Sequence, residues 1–145
     1  MQAGYIKNRT KGKKLKSSSP TAPHCYISSD GIEILVGKNN RQNDALTLKT
    51  ALPNETWLHV KDMPGSHVII RKTGDIPPRT LQQAANLAVY YSKGRASQNV
   101  PVDYTLVRYV KKPGGAKPGM VIYQNMKTLY ITCDADAISA LTKAR

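Results

Sequence analysis

Residues 57–71, WLHVKDMPGSHVIIR, restrict the fold of this chain more than any other segment. Apolar and polar residues alternate on both sides of a Met-Pro-Gly-Ser loop, which is typical of two antiparallel strands joined as a hairpin. Leu58 and Val60 on the first strand then share one face with Val68 and Ile70 on the second strand. We predict that this face lies in the core of a sheet.

The opposite face of the same hairpin carries polar and aromatic side chains. They are Trp57, His59, Lys61, His67 and Arg71. Cationic groups bind phosphates, and flat rings can stack on unpaired bases, so this combination is typical of RNA binding. Two alternatives remain open at this stage. Trp57 can belong to a core that the long helix covers, and each histidine can be a structural hydrogen-bond donor.

The other strands and helices predict an α+β fold. Strands are expected over 24–29 and 32–37, around a Ser-Asp-Gly turn, and over 102–112, with a last hairpin formed by MVIYQ and TLYITC. Helices are expected from Asn39 or Asn40 to Pro53, from Pro78 through AANLAVYY, and from Asp134 or Asp136. We predict a largely antiparallel sheet with two to three packed helices, in one domain over residues 23–145.

The charge of the chain predicts an anionic partner. Lysine and arginine number 22 against 9 aspartates and glutamates, a formal net charge of +13. Such a surface attracts nucleic acid, acidic lipid headgroups or acidic proteins. Residues 1–22 contain cations without any acid and predict a flexible arm, which is either a solvated linker or an electrostatic contact to RNA. YVKKPGGAKPG, residues 109–119, is a second basic segment, and a solvated turn is its alternative.

Several functional classes are disfavoured by the sequence. Cys25 and Cys133 belong to no CxxC pattern, so no metal site is predicted, and a disulfide is allowed but not required. No apolar run approaches the roughly 18 residues of a membrane span, and the polar start predicts no signal peptide. Acidic residues are few, and the neighbouring Ser66 and His67 diverge in a strand. We therefore predict a non-enzymatic, cofactor-free protein of the cytoplasm.

Five ordered sequence blocks resemble the NFACT-R domain, the RNA-binding module of the ribosome quality-control NFACT family. The blocks are SSDGIEILVGKNNRQND, WLHVKDMPGSHVII, AVYYSKGRAS, VPVDYT and YVKKPGGAKPG. The match as a whole covers about residues 24–133, most of the chain. Bacterial members of this family are also called fibronectin-binding protein A-like proteins.

The resemblance implies a function for the chain. Family members bind large ribosomal subunits stalled with a peptidyl-tRNA, recruit a charged tRNA, alanyl in bacteria, and support C-terminal tailing of the stalled chain. The implied partners are tRNA, large-subunit RNA and other domains of a longer protein, of which this chain looks like a C-terminal piece. The alternative function is a surface adhesin that binds fibronectin or fibrinogen and reaches the cell surface without a signal peptide.

Residue chemistry and the resemblance together give two sets of predicted site residues. The predicted RNA contacts are Asn39, Asn40, Arg41, Trp57, His59, Lys61, His67, Arg71, Lys111, Lys112 and Lys117. The residues assigned to loop geometry are Asp62, Pro64, Gly65, Ser66 and Asp103. A further family block at the end of the long helix contains Tyr91, Ser92, Lys93 and Arg95 and receives no role from the sequence alone.

Overall fold

A computed structural model describes residues 22–143 of the chain. The prediction of a basic arm over residues 1–22 falls outside the described residues, apart from Ala22. The domain over residues 23–145 stays a prediction.

Nine strands are present within residues 22–143. In chain order they are β1 (His24–Ile27), β2 (Glu33–Val36), β3 (Glu55–Val60), β4 (Val68–Thr73), β5 (Val100–Leu106), β6 (Val110–Lys111), β7 (Ile122–Tyr123), β8 (Lys127–Ile131) and β9 (Thr142–Lys143). Seven of them form one antiparallel sheet in the spatial order β9-β1-β2-β4-β3-β5-β8. The short strands β6 and β7 pair only with each other.

Three α-helices accompany the sheet in the described part of the chain. They are α1 (Asn40–Ala45), α2 (Pro78–Tyr90) and α3 (Ala135–Ala140). A π-helical turn, Leu46–Thr50, continues α1, and Ala51 closes it by donating its backbone N–H to the Leu46 carbonyl over 2.9 Å. The predicted α+β class with a largely antiparallel sheet is confirmed.

The hairpin predicted from WLHVKDMPGSHVIIR consists of β3 and β4, with Leu58 opposite Val68. Its apolar face is buried as expected: Leu58, Val60, Val68 and Ile70 are all 0% exposed. The helix α2 covers this face with the apolar stripe read from its sequence, which includes the buried Ala84, Ala85, Ala88 and Val89.

The other face of the hairpin is also covered, contrary to the expectation of an open surface. Trp57 is 0% exposed and packs with Leu46 of the π turn, Ile69, Val107 and Val110 in a second apolar cluster. The expectation of exposure is therefore wrong for Trp57 and for His67, which is 1% exposed. The cover is the π turn and the β6–β7 ribbon rather than the long helix. Chain segments distant in sequence build this second layer, so the alternation within one hairpin could not reveal it.

Two strand predictions need correction. The expected strand over 102–112 ends at Leu106, because Val107–Tyr109 form a 3₁₀ turn that directs β6 away from the sheet. The expected hairpin between MVIYQ and TLYITC does not form. Instead β7 pairs with β6, and β8 pairs with β5 after Asn125, whose positive φ of 56° reverses the chain between β7 and β8.

The described residues contain no membrane-spanning helix, no metal-binding cluster and no disulfide. Over residues 22–143 no helix combines the length and the apolarity needed to cross a bilayer. The same residues hold no group of three or more His, Cys, Asp or Glu side chains that could bind a metal ion. Cys25 and Cys133 do not form a disulfide.

Candidate nucleic-acid interface

A cleft of about 570 Å³ lies beside the hairpin, between the loop after β3, the start of α1 and the loop from β6 to β7. Its walls include Asn40, Trp57, His59, Pro64, His67, Lys117 and Gly119. A neighbouring concavity of about 500 Å³ shares Asn40, Lys117 and Pro118 with it and adds Asn39 and Arg41. We call both together the central cleft. Three sequence blocks that lie far apart in the chain therefore meet at one site.

The asparagine-rich block builds the first wall of the central cleft. The Asn39 side chain caps α1 by accepting a hydrogen bond from the Gln42 backbone N–H over 2.8 Å. The buried Asn43 accepts a bond from the His67 backbone N–H over 3.1 Å and so ties α1 to the hairpin. Asn40 and Arg41, by contrast, are exposed at the mouth of the cleft. Capping and docking leave these two side chains available to a ligand.

His67 joins two walls of the cleft rather than pointing into solvent. Its Nε2 donates to the Gly119 carbonyl over 3.2 Å, which leaves Nδ1 to accept from the Thr47 hydroxyl over 2.7 Å. Burial, and secondly the nearby His59, lower the pKa of His67 to about 4. His67 is therefore neutral near pH 7, and its observed contacts are structural.

The loop between β6 and β7 is anchored to α1 through Asp44. The Asp44 carboxylate accepts the Gly119 backbone N–H over 2.9 Å and pairs with Lys112 Nζ at 3.1 Å. The same Lys112 ammonium donates to the Lys117 carbonyl over 2.7 Å. Lys112 was predicted from the sequence to contact RNA. Its ammonium group instead forms an ion pair with Asp44 and donates hydrogen bonds within this loop. The side chain of Lys117 remains exposed.

Gly119 is required by this anchoring. Its φ is +85°, and a Cβ added there would lie 2.7 Å from Asn40 Oδ1 and 2.9 Å from Asn40 Cγ. We expect Gly119→Ala to displace the loop and to lower the free energy of unfolding by about 1–3 kcal/mol. Urea unfolding measures this loss. Gly114→Ala is the matched control, because nothing lies within 4 Å of its added Cβ, and an equal loss in both variants would contradict the expectation.

His59 forms the floor of the cleft. Its ring stacks on Trp57 at 5.8 Å between centroids and meets the His67 ring edge-on at 5.4 Å. Burial lowers the pKa of His59, and hydrogen bonds to the Val60 and Gly65 backbones oppose this shift only in part. Because its pKa lies below the ordinary value, His59 is largely neutral at pH 7, and because it is only half-buried, its flat ring faces the cleft.

Asp103 is a buried carboxylate on β5, the strand next to β3 in the sheet. It lies opposite His59 in the β3–β5 pairing, and its oxygens accept from the Tyr123 hydroxyl over 2.6 Å and the Thr128 hydroxyl over 2.7 Å. Lys61 approaches it at 3.7 Å with a side chain that is 43% exposed. The carboxylate also raises the pKa of Tyr123, after burial as the larger cause. The ammonium group of Lys61 can still reach a ligand, but Asp103 offsets part of its charge.

The loop after β3 has a constrained backbone. Asp62 has a positive φ of 57°, and Ser66 donates its hydroxyl to the Gly37 carbonyl over 2.6 Å. Gly65 is enclosed on two sides. An added Cβ would be 2.8 Å from Val60 Cγ2 of β3 and 3.0 Å from Cβ of Ser92, which follows α2. The Pro64 carbonyl accepts the Lys93 backbone N–H over 3.2 Å. These contacts hold the loop against the end of α2.

Four of the residues predicted to bind RNA line neither part of the central cleft: Lys61, Arg71, Lys111 and Lys112. Arg71 pairs with the buried Glu55 at 2.7 Å and donates to the Thr50 carbonyl, so it secures the end of the π turn. Lys111 is exposed on β6, where it pairs with Ile122 and lines neither part of the cleft. Alternation placed Arg71 on the same face as His67, but it could not show that the cleft lies at the loop end of the hairpin, several residues from Arg71.

Arg41 and Lys117 are the uncompensated cations at the mouth of the cleft. Among residues 22–143 neither side chain forms an ion pair, whereas Lys61, Arg71 and Lys112 each do. Three residues of this region received no role from the sequence. Thr47 bonds His67, and Met63 and Met120 line the cleft. Asn43 and Asp44 were visible as members of the asparagine-rich block, yet their anchoring role depends on contacts to distant segments.

The cleft, its basic rim and the antiparallel sheet occur in a chain that belongs to a known family of RNA-binding domains. The model of this family, described as the NFACT protein RNA binding domain, matches residues 22–125. The asparagine-rich, hairpin and lysine-glycine blocks that meet at the central cleft all fall within the matched region.

Named relatives and a solved structure agree with this assignment. The chain is 48% identical over 145 residues to the Rqc2 homolog RqcH of Bacillus subtilis, covering 99% of this chain and 25% of that protein. It is 38% identical over 81 residues to ribosome quality control complex subunit 2 of Schizosaccharomyces pombe, covering 53% of this chain and 8% of that protein. The chain thus spans about a quarter or less of these relatives.

A solved structure has the same fold. It is the C-terminal part of the fibronectin/fibrinogen-binding protein from Streptococcus suis, with a TM-score of 0.81 and 44% identity. The match covers 97% of this chain and 56% of that structure.

Proposed function

We propose that this chain is the non-catalytic RNA-binding module of a ribosome quality-control factor that works in the cytoplasm. In this proposal the module binds tRNA and the RNA of the obstructed large ribosomal subunit, and it supports C-terminal alanine tailing of the stalled chain by the longer protein. One observation carries the proposal: the family's sequence blocks converge on a cleft with uncompensated cations at its mouth and a flat ring in its floor.

The cleft combines the two interactions that RNA binding requires. Arg41 and Lys117 can neutralise phosphates at the rim, which supplies most of the affinity for a nucleic acid. His59 offers a neutral ring on which an unpaired base can stack. Asn40 adds amide donors and an acceptor beside them. Trp57 and His67 support this surface from beneath.

The double variant Arg41→Ala/Lys117→Ala tests the proposal. We expect tRNA binding to weaken and the slope of log Kd against log salt concentration to fall by roughly 1.4–1.8, because two phosphate contacts are lost. A titration of the chain with tRNA at several salt concentrations measures both effects.

The double variant Arg79→Ala/Lys127→Ala is the matched control. It removes the same charge, but neither residue lines the central cleft, and Arg79 lies on α2 across the sheet. An equal loss of slope in both double variants would mean that the chain acts as a diffuse polycation, and the proposed cleft would be wrong.

A second candidate function is an adhesin module for fibronectin or fibrinogen. It is favoured by the similar solved structure from Streptococcus suis, which belongs to a protein named for binding fibronectin and fibrinogen. Fibronectin added as a competitor separates the two functions. Under the primary proposal, saturable tRNA binding is insensitive to fibronectin. Tight fibronectin binding, together with tRNA binding no stronger than that of a generic polyanion, would support the adhesin instead.

A further inference from the structure

The end of α2 bears an aromatic and cationic cluster outside the central cleft. It contains part of the family block that the sequence left without a role, Tyr91 and Arg95, together with His24 and Tyr26 of β1 and Tyr90 of α2. The His24 ring stacks on Tyr91 at 4.8 Å and 23° between planes. The hydroxyl groups of Tyr26 and Tyr91 share a hydrogen bond of 2.6 Å. We call this group the helix-end patch.

Cations surround these rings. Arg95 Cζ lies 3.9 Å from the Tyr90 ring centroid, and Lys143 Nζ lies 5.6 Å from that of Tyr26. Burial, followed by the charges of Lys143 and Lys38, lowers the pKa of His24. The His24 ring is therefore neutral at pH 7 while its surroundings are positive. A carboxylate also lies close to Arg95: burial raises the pKa of the Cys133 thiol, the charge of Arg95 opposes this shift, and the charge of Asp134 adds to it.

Three of the four rings of the patch are accessible to a ligand, and Tyr26, 5% exposed, supports them from the core. His24, Tyr90 and Tyr91 are only half-buried, and Lys93 and Arg95 are exposed. Arg95 lies over the Tyr90 ring just after the end of α2, and Lys143 on the edge strand β9 lies near the Tyr26 ring of the neighbouring strand β1. Flat rings among cations provide stacking surfaces and phosphate contacts together, which is the arrangement that holds single-stranded nucleic acid.

The helix-end patch adjoins the central cleft through the loop after β3. Met63 and Pro64 line the cleft on one side of this loop. On its other side the Pro64 carbonyl accepts the Lys93 backbone N–H, and Gly65 forms a bridge with Ser92. The exposed Lys93 therefore follows Pro64 on the surface beyond the cleft, and the exposed Arg95 lies two positions further along the chain.

We propose that the helix-end patch is a second binding site for unpaired nucleotides, continuous with the central cleft across the loop after β3. His24 and Tyr91 provide the stacking surface, and Lys93, Arg95 and Lys143 contact the phosphates. This site selects single-stranded over double-stranded RNA, because stacking on a side chain requires a base outside a duplex. The proposal rests on the proposed RNA-binding function and adds a ligand class and a site to it.

Single-residue variants of the patch test this inference with a 12-nucleotide oligouridylate and an RNA duplex of equal length as probes. We expect His24→Ala and Arg95→Ala each to weaken binding of the oligouridylate by about 5- to 100-fold, as loss of one stacked base or its cation would. Binding of the duplex should change by less than about threefold, since only a charge contact is lost. Arg79→Ala removes one arginine from the first turn of the same helix and serves as the control.

The fluorescence of Trp57 distinguishes loss of RNA binding at the helix-end patch from loss of RNA binding at the central cleft. Trp57 is the only tryptophan of the chain and lies in the wall of the cleft, so its fluorescence reports occupancy of the cleft. We expect patch variants to keep the full fluorescence change at saturation, while Arg41→Ala/Lys117→Ala diminishes it. Equal losses in Arg79→Ala and Arg95→Ala, or equal losses for oligouridylate and duplex, would overturn the second site. Unchanged binding in the cleft variant, with losses in the patch variants, would overturn the cleft and leave the second site standing.

Discussion

Replacement of Trp57 by alanine is expected to lower the free energy of unfolding by about 3–5 kcal/mol. The indole is 0% exposed and contacts the rings of His59, His67 and Tyr123, the last at 4.6 Å between centroids. Its removal leaves a cavity between the sheet and the layer formed by the π turn and the β6–β7 ribbon, and His59 loses its support. Urea unfolding followed by far-UV circular dichroism measures the loss without needing tryptophan fluorescence.

Trp57→Phe is the informative companion of this variant. The Trp57 Nε1–H has no hydrogen-bond partner within the described structure. Phenylalanine therefore reduces the buried volume without removing a hydrogen bond. We expect a loss of only about 1–2 kcal/mol. If Trp57 acts solely as a core residue, the folded Trp57→Phe chain binds tRNA with unchanged affinity. A tenfold weaker affinity in this folded variant would instead support the sequence-based prediction that Trp57 itself contacts RNA.

The stability of the fold is expected to fall as the pH drops from about 6.5 to about 4, with His67 as the principal cause. The pKa of His67 in the folded state, about 4, lies below its ordinary value of 6.5. Between these two values the unfolded chain binds the proton more readily, so protonation favours unfolding. The full stability from neutral His67 is present above pH 6.5, and as much as about 3 kcal/mol of it is lost by pH 4. Urea unfolding at pH 7 and at pH 4.5 measures the difference.

His67→Gln provides the control for this pH dependence. Glutamine can donate to the Gly119 carbonyl and accept from the Thr47 hydroxyl, but it does not titrate in this range. The variant should therefore lose a large part of the slope between pH 6.5 and 4. The remainder comes partly from His24 and His59, whose pKa values are lowered in the same direction. A slope identical to that of the unmodified chain would show that His67 is not the responsible group.

Much of the sheet could be predicted from alternation and turn residues because these patterns are local. The β3–β4 hairpin, the apolar stripe of α2 and a cap of α1 at Asn39 or Asn40 follow from neighbours within a few positions. The β6–β7 ribbon could not be predicted in this way. Its pairing depends on the 3₁₀ turn at Val107–Tyr109 and on contacts of Gly119 with α1, which join segments about 75 residues apart in sequence.

The candidate site shows the same division. The sequence alone determined that a basic α+β chain presents the blocks of an RNA-binding domain family, because charge, alternation and motif order are properties of the linear chain. Only the tertiary structure decided which block residues remain available to a ligand. Trp57 and His67 became internal supports because a second layer covers the hairpin. Arg71 pairs with Glu55 at the far end of the same hairpin, and Lys112 pairs with Asp44 of α1. Arg41, His59 and Lys117 were left at the cleft because their exposure depends on how distant segments pack, which no local pattern encodes.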